Sequence, residues 1–261
     1  GVMVSFACSG FFALAYEVLW TRVFTAVIGH SVYAFSIILS SFLLGIVLGS
    51  GWMSRKIDRQ TNGFFILSFF HLLLASFVLV TIPFFDDLPF LFKHLHRWFS
   101  QDFGWFQFVQ FFLCFVVIFV PTFLFGAIFP LVNRLLFGTD QPPAAVVGKL
   151  YAVNTFGAIA GSLVSGFILI PLMGGIQPAL KLAAVLHLMM GMVFLGISPS
   201  FLFLKKAAVA ICFLVVLTGG IFFEKRWDPA LLYSGMYLYA PQYSDNLNDF
   251  KEGLRQGKIL F

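Results

Sequence analysis

The chain has 261 residues, 60% of them hydrophobic and only 10% charged, with a formal net charge of +5 and a mean hydropathy of +0.96. That balance excludes a water-soluble globular domain and makes the chain an integral membrane protein. The apolar stretches are long and continuous, without the two-residue alternation of barrel strands, so the expected class is all-α.

A hydrocarbon core of about 30 Å takes roughly 20 apolar residues in a helix. On that measure seven transmembrane helices are predicted, at about 2–28, 31–53, 63–83, 104–136, 148–173, 176–197 and 203–223. The bundle then occupies 1–223, and 224–261 is a polar junction.

The first run, "FACSGFFALAYEVLWTRVFTAVIG", carries Glu17 about two-thirds of the way along a helix of some 40 Å, too deep to reach water easily. Its neighbours on the helical wheel are Gly10, Ala13 and Thr21, a small face that implies a close partner helix. Two roles suit this carboxylate. One is a proton relay or cation contact; the other is a structural acceptor of hydrogen bonds from Asn154, Tyr151 or Thr21.

Run two spaces Ser41, Gly45 and Gly49 four apart and ends on a basic loop with Arg55, Lys56 and Arg59, a pattern suited to a cytoplasmic connection. His71 falls in the middle of run three and His187 in the middle of run six; each is either a satisfied core histidine or a proton carrier. Between runs three and four, "DDLPFLFKHLHRWFSQDFG" mixes aromatics with Lys93, His94, His96 and Arg97, which suits a short amphipathic helix on the membrane surface. His94 and His96 are two apart and point to different sides of such a helix, so no metal site is expected there.

Run four is too long for one straight crossing and contains Pro121 and Pro130, so one bent helix is expected. Run five, "GKLYAVNTFGAIAGSLVSGFILIPLMGG", places Tyr151, Asn154, Gly157, Gly161 and Ser165 within an arc of about 120°. Lipid has no use for such a face. It reads as a packing surface on which Asn154 is the polar contact, either structural or to a substrate, and Glu17 is expected to be held by this helix. Cys8, Cys114 and Cys212 sit inside apolar runs as small core residues.

The segments "SGFFALAYEVLWTRVF", "GIVLGS", "PTFLFGAIFP" with Asn133 and Arg134, and "GKLYAVNTFGAIAGSLVSGFILIPLMG" resemble, in order, the membrane portion of bacterial fused transporter-like (major facilitator-like) and spermidine-synthase-like proteins. The tail "RWDPALLYSGMYLYAP" and "LRQGKILF" is similar to the junction leading into their aminopropyltransferase-like domain, which begins with β-strands. With no methionine at Gly1 and a strand-like "GKILF" at the end, both ends look cut.

The resemblance implies a Rossmann-like catalytic domain, but no GxGxxG and no acidic substrate-binding set lie within residues 1–261, so no catalytic residue and no cofactor are assigned to this segment. The expected partners are the lipid bilayer and other membrane subunits or a second copy, with no nucleic acid. Three functions remain open: a membrane module that anchors a synthase-like domain or handles its substrate or product, an accessory subunit of a larger membrane complex, and a small-solute transporter. The expected site is the bacterial inner membrane. Arg55, Lys56, Arg59, Arg134, Lys149, Lys205 and Lys206 share one side, against Lys93, Arg97, Lys225 and Arg226 on the other, which puts the tail after Phe223 on the non-cytoplasmic side.

Overall fold

The computed structural model describes residues 2–57, 62–136, 143–198, 203–222 and 225–239, together with Asp249 and Glu252. The chain forms α1 (Val2–Ile28), α2 (Val32–Ser54), α3 (Gly63–Thr81), a 3-10 turn (Ile82–Asp87), α4 (Leu88–Phe99), α5 (Phe103–Leu136), α6 (Pro143–Leu163), a π-helical segment (Val164–Leu169), α7 (Ile170–Met173), α8 (Ile176–Ile197), α9 (Phe203–Phe222), α10 (Pro229–Leu232) and α11 (Met236–Tyr239). There is no strand among the described residues. The "GKILF" end and Arg59 lie outside them.

Six helical stretches are long and apolar enough to cross a membrane, and α9 adds a shorter apolar stretch at Lys206–Gly220. The protein is an all-α membrane protein. α5 runs unbroken through Pro121 and Pro130. Each proline removes one backbone donor from the helix, and polar side chains beside them bond the helix's own carbonyls. The Thr122 hydroxyl donates to the Ile118 carbonyl at 2.9 Å, and Asn133 Nδ2 to the Phe129 carbonyl at 3.0 Å. The π-helical segment lies just before Pro171, which also lacks a donor, and the run ends at Gly174 in a left-handed conformation (φ 71°).

α1 is the hub of the bundle. Its Tyr16, Leu19, Trp20 and Phe24 are fully buried, and it touches α2, α5, α6 and α8. Around it α2 lies along α5, α3 lies along α8, and α9 packs outside α3. The "LPFLFKHLHRWF" segment is a helix, α4, with Phe92 buried and Trp98 exposed. His94 rests against Phe90 and Trp98, whereas His96 faces Phe92 and Phe106, so the two rings lie on different sides.

The polar junction folds back onto one end of the bundle. Lys225 Nζ reaches Asp87 Oδ1 at 2.8 Å and Asp86 Oδ2 at 3.3 Å. The amide of Asp228 donates to Asp86 Oδ1 at 2.9 Å, and Trp227 Nε1 donates to the Ile82 carbonyl at 2.8 Å. Gln177, at the start of α8, clamps the same segment: its Nε2 donates to the Lys225 carbonyl at 2.7 Å and its Oε1 accepts from the Trp227 amide at 2.9 Å. Tyr237 covers Gly29, just past the end of α1. The end of α1, the end of α3 and the start of α8 therefore share one membrane face with this tail, and the opposite ends share the other.

Burial lowers the affinity of the Lys225 ammonium for its proton, but its hydrogen bonds to Asp87 and Asp86 more than offset this, so its pKa is held above the ordinary lysine value. The sign is that of a raised cation: its contribution to docking is complete below the ordinary lysine pKa and is lost only as the pH rises through the raised one. Asp86 is 3% exposed and holds two partners. Asp86→Ala is expected to cost about 2 kcal/mol and to loosen the tail, because it strands the Asp228 amide and leaves Lys225 with Asp87 alone. Trypsin cleavage after Lys225 and Arg226 in mild detergent should accelerate; cleavage at the wild-type rate would show that the clamp does not depend on Asp86.

Candidate functional site

Small residues set how closely the helices approach. A Cβ at Gly45 would collide with the Thr122 side chain, one at Gly49 with the Phe123 carbonyl, and one at Gly126 with the Ile46 carbonyl, so α2 and α5 run backbone against backbone. Ser41 completes the stripe, donating to the Ile37 carbonyl of its own helix at 2.8 Å and to Phe111 of α5 at 3.4 Å. In the same way Gly157 and Gly161 sit on the Ala7 and Phe11 carbonyls of α1, and Gly10 of α1 sits on the Asn154 backbone. Contact of this kind supplies dispersion energy that the hydrophobic effect cannot supply within lipid.

Asn154, Glu17 and Tyr151 behave differently from expectation. The small faces of α1 and α6 do meet, but Asn154 Nδ2 donates to the Phe6 carbonyl at 3.0 Å and not to Glu17. The glycine contacts bring the backbones so near that a short amide finds a main-chain acceptor about three turns before Glu17. Glu17 is half-buried and makes no hydrogen bond or ion pair among the described residues. Tyr151 is 66% exposed and touches the edge of Phe129 with ring centroids 6.4 Å apart, outside the helix contact. Ser165 is buried, with its hydroxyl unpartnered among the described residues. Arg55 caps α2, and Lys56 Nζ lies 4.6 Å from the Trp52 ring centre.

The histidines converge. His71 Nδ1 and His187 Nε2 are 2.8 Å apart, joining the middles of α3 and α8. The far nitrogen of each ring meets α1: His71 Nε2 lies 3.1 Å from Ser5 Oγ, and His187 Nδ1 lies 3.2 Å from the Tyr16 hydroxyl. All four side chains are 0% exposed. Phe12 stacks on the His187 ring, 4.2 Å between centroids and 4° from parallel, and Phe125 stacks at 6.0 Å and 11°. Trp20 stacks on Tyr16 at 5.3 Å, with its Nε1 buried and unpartnered among the described residues. Ser5 and Tyr16 give no sequence signal of their own. The usable signal is that isolated mid-membrane histidines on two helices must find polar partners, and Tyr16 offers one.

A cleft of about 710 Å³ opens between α1, α2, α5 and α6. Apolar residues such as Phe42, Phe125 and Phe129 dominate its walls; Ser9, Tyr151, Asn154 and Ser162 add polar groups, and no charged residue lines it. It suits an uncharged amphiphile better than a polycation. No group of three or more metal-ligating side chains occurs among the described residues. No protein-family model, no curated protein and no solved structure matches the chain.

Proposed function

We propose that the chain is the membrane module of a spermidine-synthase-like protein of the bacterial inner membrane, and that its role is to anchor a following soluble domain in a fixed pose. The docked tail carries this reading. Lys225, Trp227 and Asp228 bind Asp86, Asp87, Ile82 and Gln177 through both side chains and backbone, so the chain leaves the bundle along a set path and not as a loose tether. Within this reading the module does not carry polyamine through its cleft, because no carboxylate lines the walls to replace the water of a polycation.

The cleft favours a second reading, a small-solute transporter taking an uncharged amphiphile, with Asn154 among its polar contacts. The reading as an accessory subunit of a larger complex gains no specific support from the geometry. The loop count in the sequence, seven basic residues on one side against four on the other, favours a tail outside the cytoplasm. There a synthase-like domain would be cut off from cytoplasmic aminopropyl donors and would keep the fold without the reaction.

Alkaline phosphatase and a cytoplasm-only fluorescent protein fused in parallel after Phe261 test the side. Phosphatase activity without fluorescence is expected. Fluorescence without phosphatase activity would move the tail to the cytoplasm and restore the reading of an active synthase.

A further inference from the structure

We propose that Ser5, His71, His187 and Tyr16 form a proton wire that leads from one membrane face to the middle of the bundle. All four ring nitrogens are used, one contact each: Ser5 Oγ to His71 Nε2, His71 Nδ1 to His187 Nε2, and His187 Nδ1 to the Tyr16 hydroxyl. A neutral imidazole has one donor and one acceptor nitrogen, so the three links share one direction at a time. Both directions satisfy every link equally. A lock would fix one tautomer with a carboxylate or backbone carbonyl on the outer nitrogen. Here the outer partners are two hydroxyls, which donate and accept alike.

The wire also advances through the membrane. The ends of α2, α5 and α8 and the starts of α3, α6 and α9 lie on the face opposite the docked tail. Counting about 1.5 Å per residue from the helix ends at that face, Val2, Gly63 and Ile197, places Ser5, His71, His187 and Tyr16 at depths of about 5, 12, 15 and 21 Å. The order is that of the hydrogen bonds. The inner end stops behind Phe125, whose ring lies 6.2 Å from that of Tyr16, stacks on His187 and lines the cleft. Phe125 is thus the wall between the wire and the cleft.

One transfer balances as follows. Ser5 takes a proton from hydronium and passes its own to His71 Nε2; His71 gives its Nδ1 proton to His187 Nε2; His187 gives its Nδ1 proton to the Tyr16 oxygen. Tyr16 releases its former proton to a water molecule in the cleft when Phe125 swings aside. Four neutral groups remain with every link reversed, and rotation of the hydroxyls with ring tautomerisation resets them. Among the described side chains, the other titratable groups on the surrounding helices are Cys8, Glu17 and Arg22 on α1, Cys114 and Arg134 on α5, Lys181 on α8, and Lys206 and Cys212 on α9. None of these makes a hydrogen bond to either ring.

The test is nitrogen NMR on the histidine-labelled full chain in lipid nanodiscs, which reads the tautomer of each ring. Wild type is expected to show two exchanging tautomers on both rings. Tyr16→Phe keeps the stacking and removes the hydroxyl that can donate to His187 Nδ1, so both rings are expected to lose the exchange and settle with the proton on Nε2. Phe125→Ala leaves all three links in place and is expected to keep both tautomers. A single fixed tautomer on each wild-type ring, or continued exchange in Tyr16→Phe, overturns the proposal.

Discussion

Gly49→Leu is expected to prevent the bundle from assembling, while Gly51→Leu, two residues on, should leave it intact. A Cβ at Gly49 meets the Phe123 carbonyl, its carbon and its Cα, all backbone that cannot step aside without parting α2 from α5. The stripe continues at Gly45 on Thr122 and at Gly126 on Ile46, so separation at one point opens all three. A loss of more than about 4 kcal/mol is expected, the scale reserved for gross overpacking. Gly51 has nothing within 4 Å of a Cβ and lies on an exposed face; leucine there meets lipid, which favours it. Size-exclusion profiles in mild detergent distinguish the two. A monodisperse Gly49→Leu protein with the wild-type thermal midpoint would show that the close α2–α5 contact does not carry the fold.

Helix positions were legible in the sequence because membrane depth imposes one simple demand, a long apolar run with all backbone groups bonded internally. The runs expected at 2–28, 104–136 and 176–197 appear as Val2–Ile28, Phe103–Leu136 and Ile176–Ile197. The spacing of Gly45 and Gly49, and of Gly157 and Gly161, marks a face but not its partner. Which helix lies against it depends on tertiary geometry that a four-residue period does not encode.

The polar centre was legible only in part, for the same reason. Cost ranked Glu17 first, since a carboxylate is dearer to bury than an imidazole or a phenol. The structure instead leaves Glu17 half-buried and draws the neighbouring Tyr16 into the core network. Adjacent residues on a helix point about 100° apart, so one faces the α3 and α8 side while the next does not. His71 and His187 are 116 positions apart. Nothing local joins them; only the packing of α3 along α8 does.

Replacing His187 alone with leucine is expected to cost about 2–4 kcal/mol, and replacing His71 as well should cost little more. The single change leaves His71 Nδ1 and the Tyr16 hydroxyl facing an aliphatic side chain at a fully buried site, and each orphaned group carries its own desolvation penalty of about 1–3 kcal/mol. The second change removes one of those orphans and puts two apolar side chains in contact, leaving only the hydroxyls of Ser5 and Tyr16 to find other acceptors, which hydroxyls do readily on helix carbonyls. The double-mutant cycle should therefore show a coupling of about 2–3 kcal/mol between the two sites, close to the cost of the His71 change alone. Reversible unfolding in mixed micelles, read for the wild type, both single variants and the double, supplies the four numbers. Costs that simply add would mean that the rings do not depend on each other, and the chain from Ser5 to Tyr16 would then have to be read as two separate contacts.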